Sequence, residues 1–284
     1  MQIIVSIIFL VYFTLISSTF LRGFTEIVKT SFFSETSIMT ILFWFTIVLY
    51  IVSLFKTNSI IKTNVIIVPL AMLAFLIVFI ATIRDFTPQR IFPILGYGSK
   101  QTFLKGSTNI FAFSGLAYLY FFMPHIKSNK KATRLGIISC IISSLMLISS
   151  IASLVMAFPF VTSTEELSST LFAIRTISFG DFFDHPESVF LLIGLLSLLS
   201  YLSVTMIVIS SICNKIFKNH DLDIIRKFYL PIIFVLALLP KKIYQIRFID
   251  YNVYKYFSLV TVYIIPLILL ILATLKKKNW KGET

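Results

Sequence analysis

Acidic residues are scarce in this chain: 12 Asp and Glu stand against 25 Lys and Arg, and charged residues of both signs make up 13% of the 284 positions. So low a charge content cannot cover the surface of a water-soluble domain of this length. Histidine is scarcer still, with three residues, His125, His185 and His220, each in a polar connection. No HExxH, glycine-rich phosphate loop or GxSxG occurs. The paired acids Asp181/Asp184 and Asp221/Asp223 sit in polar contexts that suit solvation or capping. The chain is therefore expected not to be an enzyme, and no cofactor or metal is expected. Cysteine is limited to Cys140 and Cys213, both inside apolar runs and without CxxC or Cys/His spacing, which excludes a zinc site and a disulfide framework. Both read as small buried hydrophobes.

What the chain has in abundance is apolar sequence, with 57% hydrophobic residues and a mean hydropathy of +0.94. One core could not bury that much, so the bilayer must act as the solvent. Runs long enough to cross it fall near residues 3–20, 37–55, 64–83, 107–123, 135–160, 188–214, 225–239 and 256–275, which predicts about eight membrane-spanning helices in one polytopic domain. The runs are continuously apolar instead of alternating, which excludes an outer-membrane barrel and leaves an all-α bundle. Residues 1–20 lack a positive leader region and a small-residue cleavage site, so they read as a retained helix.

The net charge of +13 would suggest a nucleic-acid partner in a soluble protein, but here the cations lie between the apolar runs and act as topology signals. One side collects Lys56 and Lys62, the cluster from Lys127 to Arg134, the cluster from Lys215 to Lys227, and the tail from Lys276 to Lys281. These connections are short and dense. The opposite side carries Arg22, Lys29, the residues from Arg84 to Lys105, Arg175 and the stretch from Lys241 to Lys255, spread over longer loops. The denser side is expected to be cytoplasmic, with both termini inside. On the other side, Ser163-Thr164-Glu165-Glu166 fits a capping box ahead of apolar residues at helical spacing, which predicts a short surface helix ending at Gly180.

Three features bear on a site. In the fourth run, Gly98, Gly106 and Gly115 with Ser107, Ser114 and Pro124 interrupt an aromatic stretch, so Phe111-Ala112-Phe113-Ser114-Gly115 is expected to break the helix near mid-membrane. Such a break faces protein or a ligand cavity, or it serves close helix packing. Serines line the fifth and sixth runs, among them Ser197 and Ser200, and small-residue stripes of this kind usually serve tight helix contacts. Ionisable residues are expected to lie at helix ends or in loops, with Arg22 and Glu26, spaced i and i+4, forming an ion pair at the end of the first helix.

Three stretches resemble the membrane-permease B-subunit of spore germinant receptors, a family within the amino acid, polyamine and organocation transporter superfamily. They are Leu21-Arg22-Gly23-Phe24-Thr25-Glu26 continuing to Thr36, then Phe92-Pro93-Ile94-Leu95-Gly96-Tyr97-Gly98 with Leu104-Lys105-Gly106, and last Arg175-Thr176-Ile177-Ser178-Phe179-Gly180-Asp181-Phe182 leading to Glu187. Their order and spacing match over essentially the whole chain. The resemblance implies two inverted repeats of five helices, of which this chain begins at the third helix, so that the repeat is incomplete. It departs from the family pattern at Gly115-Leu116-Ala117, where many relatives carry an acid, and at Asp184-His185-Pro186-Glu187, which lacks an arginine.

The resemblance further implies a subunit that senses a nutrient such as an amino acid, works with other receptor subunits, and resides in the spore inner membrane or the cell membrane. Phe111, Phe113, Ser114 and Gly115 on the interrupted helix, with Ser197 and Ser200 opposite, are the expected ligand-binding residues. Two alternatives remain open from the sequence: an amino acid permease, and a truncated inactive family member.

Overall fold

A computed structural model of the chain describes residues 2–83, 86–92, 98–123, 126, 129–157, 186–217 and 222–281. Helices account for nearly all of them, and no strand occurs among the described residues. The helices are α1 (Gln2–Phe32), α2 (Ile38–Ser53), α3 (Thr57–Thr82), α4 (Ser99–Ser107), α5 (Leu116–Phe122), α6 (Asn129–Ala157), α7 (Pro186–Phe217) and α8 (Leu222–Leu238). A final helical run joins α9 (Ile243–Phe248), α10 (Lys255–Ser258) and α11 (Ile265–Lys281) through the π turns Ile249–Tyr254 and Leu259–Ile264. The predicted surface helix over residues 163–180 lies outside the described residues.

Five of these helical segments are long and apolar enough to cross a membrane, and α2 is a shorter apolar helix. Large apolar side chains such as Ile66, Ile80, Leu145 and Leu270 stand exposed along them, as they must where lipid replaces water. Burial ranks the helices by position. More than half (56%) of the apolar window of α7 is buried, against 6% of that of α6, so α7 runs through the middle and α6 along the edge.

The core forms where α1 crosses α7, with α8 and α2 packed against both and α3 against the far side of α7. Phe13, Leu42, Leu202, Ile209 and Ile233 are fully enclosed there. Small hydroxyl residues let these helices approach. Along α1, Ser17 and Thr25 bond the carbonyls of Phe13 and Leu21 one turn back, while Thr14 also reaches Tyr229 of α8 (2.8 Å) and Thr19 reaches Tyr254 of the final run (2.6 Å).

Two expectations about charge are corrected. Helix α1 does not stop near Phe20 but continues to Phe32, so Arg22 and Glu26 lie inside it, 3% and 6% exposed. They pair at 2.9 Å, and Arg22 also donates to the carbonyl of Ala237 near the end of α8 (3.4 Å). The pair neutralises itself within one turn, which is why the helix can pass through it. Likewise the last helix begins at Ile243 instead of Tyr256. This puts Asp250 within a span and Lys255, 5% exposed, over the ring of Tyr251 at 4.6 Å. Arg226 near the start of α8 is also buried. Cys213 lies in the core, whereas Cys140 is half-buried on α6.

Candidate functional site

The interruption of the fourth run is present but takes a different form from the expected open break. After α4 the chain tightens into a 3-10 helix, Thr108–Phe113, turns at Ser114 and Gly115, and resumes as α5. The amides of Ser114, Ala117 and Tyr118 bond the carbonyls of Phe111, Ser114 and Gly115 at 2.9, 3.0 and 3.1 Å. The i to i+3 ladder therefore satisfies backbone groups that an unwound segment would have exposed. Gly115 has φ of −56°, an ordinary right-handed value, and an added Cβ would meet nothing within 4 Å. Glycine is conformationally required instead at Gly98, whose φ of +92° starts the turn into α4.

This segment is tied to the final helical run at two points. Tyr120 donates to the carbonyl of Val262 (2.9 Å), and Tyr263 donates to the carbonyl of Ile110 (3.0 Å). Both Val262 and Tyr263 belong to the second π turn, whose i to i+5 winding displaces carbonyls from α-helical register.

The serine stripes separate on geometry. Ser197, Ser203 and Ser210 on α7 each bond a carbonyl of the preceding turn, as hydroxyls inside helices do when they serve packing. Ser200 differs. Its hydroxyl crosses to α3 and donates to Oδ1 of Asn64 at 2.6 Å. The Nδ2 of Asn64 is buried and has no hydrogen-bond partner, an arrangement that costs on the order of 1–3 kcal/mol unless something supplies an acceptor.

Asn64 faces a cavity of about 370 Å³ lined also by Tyr118, Ser197, Ser200, Tyr201 and Met146. A second hollow of about 470 Å³ adjoins it, sharing Asn64, Ile67 and Ser200 and extending to Ser59, Thr63 and Ser203. The structure thus brings Ser197 and Ser200 together at one cavity. Phe111, Phe113, Ser114 and Gly115 are not among its lining residues; the interrupted segment contributes Tyr118 instead. Tyr118 is held by Thr205 (2.6 Å between hydroxyls) and by edge contact with Tyr201 (centroids 5.9 Å apart).

Asn64 and Tyr118 are the residues that sequence reasoning missed. The signal for Asn64 was a lone amide at the edge of an apolar run, where a polar group in a span needs a reason. Beside it, Pro69 inside α3 has no amide hydrogen to donate to the preceding turn, so one backbone bond of that helix is absent there.

A multi-pass helical bundle with an interrupted helix beside a cavity between helices is the architecture of a permease-like membrane protein. Residues 2–246 match the spore permease family, described as spore germination protein, and the chain belongs to that family with a role in germination. Comparison with curated proteins and with solved structures finds no match.

Proposed function

We propose that this chain is the B-type membrane subunit of a nutrient germinant receptor, binding a small molecule such as an amino acid in the cavity between α3, α5 and α7. The observation that carries this reading is the buried, unpartnered Nδ2 of Asn64 at that cavity. A ligand carboxylate or carbonyl would supply the missing acceptor, while Ser200 fixes the amide from the other side. The protein acts with other receptor subunits and catalyses no reaction. The charge pattern supports cytoplasmic termini, and the family supports residence in the spore inner membrane or the cell membrane.

The test is a germination dose series in the native host. Asn64→Leu and Ser200→Leu are expected to raise the half-maximal nutrient concentration by at least about tenfold at unchanged membrane levels of the protein. An unchanged concentration for both variants would overturn the placement.

Transport of an amino acid is the second reading, and one observation favours it. The spans carry buried Arg22, Glu26 and Lys255, so charge inside them is available for ion coupling. Proteoliposomes separate the two: accumulation of labelled solute supports transport, whereas saturable binding without accumulation supports sensing.

A further inference from the structure

The two sides of the edge helix α6 differ. Ala132 and Gly136 are buried, and a Cβ added at Gly136 would meet the side chains of Met123 and Leu119 at 3.5 and 3.6 Å, so this side packs on α5. At about 100° per residue, the opposite side carries Lys130, Arg134, Ile137, Ile138 and Ile141, all exposed. A shallow hollow of about 640 Å³ lies there, lined by Lys130, Thr133, Arg134, Ile137 and Ile138. We infer that this hollow is a binding site for an anionic phospholipid, with the phosphate held between the Lys130 ammonium and the Arg134 guanidinium and an acyl chain lying along the isoleucines.

The two cations carry the first step. They stand one turn apart on one face, close enough to repel each other. No Asp or Glu occurs between Asp85 and Glu165, so no acid adjacent in the chain offsets them. Among the described residues no carboxylate pairs with either side chain. An anion in the hollow relieves that repulsion. The planar fork of an arginine beside the point charge of a lysine suits the oxygens of a phosphate.

The surface beyond the cations carries the second step. Ile137, Ile138 and Ile141 continue along the same side into Leu145 and Ile148, also exposed, which makes about 16 Å of aliphatic side chain. Only 6% of the apolar window of α6 is buried, so the described parts of the chain leave this side to its surroundings. In a bilayer those surroundings are lipid. Charge followed by hydrocarbon in one column matches a phospholipid headgroup and its chain. A soluble anion would use the hollow and leave the column idle, whereas a lipid uses both and is already present at the surface of every spanning helix. The inference rests on membrane placement and not on the germinant reading.

The experiment uses the full chain in phospholipid vesicles with a reporter beside the hollow. Ile141→Trp, in a background where Trp44 and Trp280 are replaced by Phe, places one indole a turn or two beyond Arg134. Its quenching by brominated phosphatidylglycerol and by brominated phosphatidylcholine gives the local preference between the two lipids. Phosphatidylglycerol is expected to be preferred at least about fivefold.

Lys130→Gln and Arg134→Gln are each expected to remove most of that preference with an unchanged thermal melt, and Arg134→Lys is expected to keep it. Lys131→Gln alters a neighbouring face that does not line the hollow and is expected to change the preference less than about twofold. Equal quenching by the two lipids would overturn the inference. So would a loss in Lys131→Gln as large as that in Lys130→Gln, which would mean diffuse surface charge instead of a site. Inorganic phosphate that abolishes the preference at constant ionic strength would assign the hollow to a free anion and overturn the lipid. Oxidative cross-linking of Leu145→Cys into a dimer, in a background lacking Cys140 and Cys213, would assign the face to a second copy and overturn it as well.

Discussion

The hydroxyls of Tyr118 and Thr205 lie 2.6 Å apart and join α5, the rewound part of the fourth run, to α7, the helix at the centre of the bundle. Thr205 also bonds the carbonyl of Tyr201 one turn back, so its hydroxyl is held from two directions. The position of Tyr118 at the cavity thus depends on a central helix that has little freedom to move.

Tyr118→Phe tests that dependence. It keeps the ring against Phe13 and Tyr201 and removes only the hydroxyl. Interhelical hydrogen bonds in membrane proteins contribute about 0.6 kcal/mol on average, so the melting temperature in detergent is expected to fall by only a few degrees. Response to the nutrient is expected to weaken more than stability does. A variant that melts like the wild type and responds like it would disconnect Tyr118 from the site.

Arg22→Met is expected to be severe. It leaves the Glu26 carboxylate buried without its partner, a change that costs about 3–5 kcal/mol. The double variant Arg22→Met with Glu26→Leu removes both charges and is expected to recover most of the lost stability. Folded yield and thermal melts of the two single variants and the double variant form the cycle that checks this.

Asn64→Leu is expected to separate function from stability. The wild-type amide holds a buried donor without an acceptor, so an apolar replacement removes a cost, and the Ser200 hydroxyl can turn to a carbonyl of its own helix. The melt is expected to stay level or rise while the nutrient response falls. A lower melt together with normal response would contradict the reading of Asn64 as a ligand contact.

Gly115→Ala is expected to be neutral or stabilising by up to about 1 kcal/mol, because the backbone there is right-handed and the space beside it is open. Gly115→Leu should still insert and fold, with its side chain reaching into that open space. Membrane levels and gel filtration profiles check both variants. Loss of response in the leucine variant would implicate the space beside Gly115 in ligand entry or binding.

Much of this fold was legible in the sequence because lipid-facing helices advertise themselves by uninterrupted apolar length. The lengths of α1 and of the final run were not legible, since hydropathy falls at Arg22 and again between Asp250 and Lys255. What rescues those positions is three-dimensional: a partner one turn away for Arg22, and an aromatic ring beneath Lys255. The interruption before Gly115 was visible in its glycines and serines, but its 3-10 winding was not, because the same residues permit either an open break or a tightened turn. Ser200 could not be told from Ser197 or Ser203 in one dimension. The difference lies in Asn64 on another helix, 136 positions away in the chain.

The two π turns of the final helix give its length an unusual meaning. Each holds one residue more than a regular α-turn needs, so removing a single residue from Leu259–Ile264 would let the ladder close as an ordinary helix. The span would remain long enough for the bilayer. Because the π turn already takes up that residue, the helix beyond the deletion would keep nearly the same face, while the turn itself would lose the displaced carbonyl of Val262 that Tyr120 bonds and shift the Tyr263 hydroxyl that reaches Ile110. The extra residue therefore acts locally, as a fastening for the interrupted segment, and its loss is expected to release that segment while both the facing and the membrane crossing of the rest of the helix stay as they are.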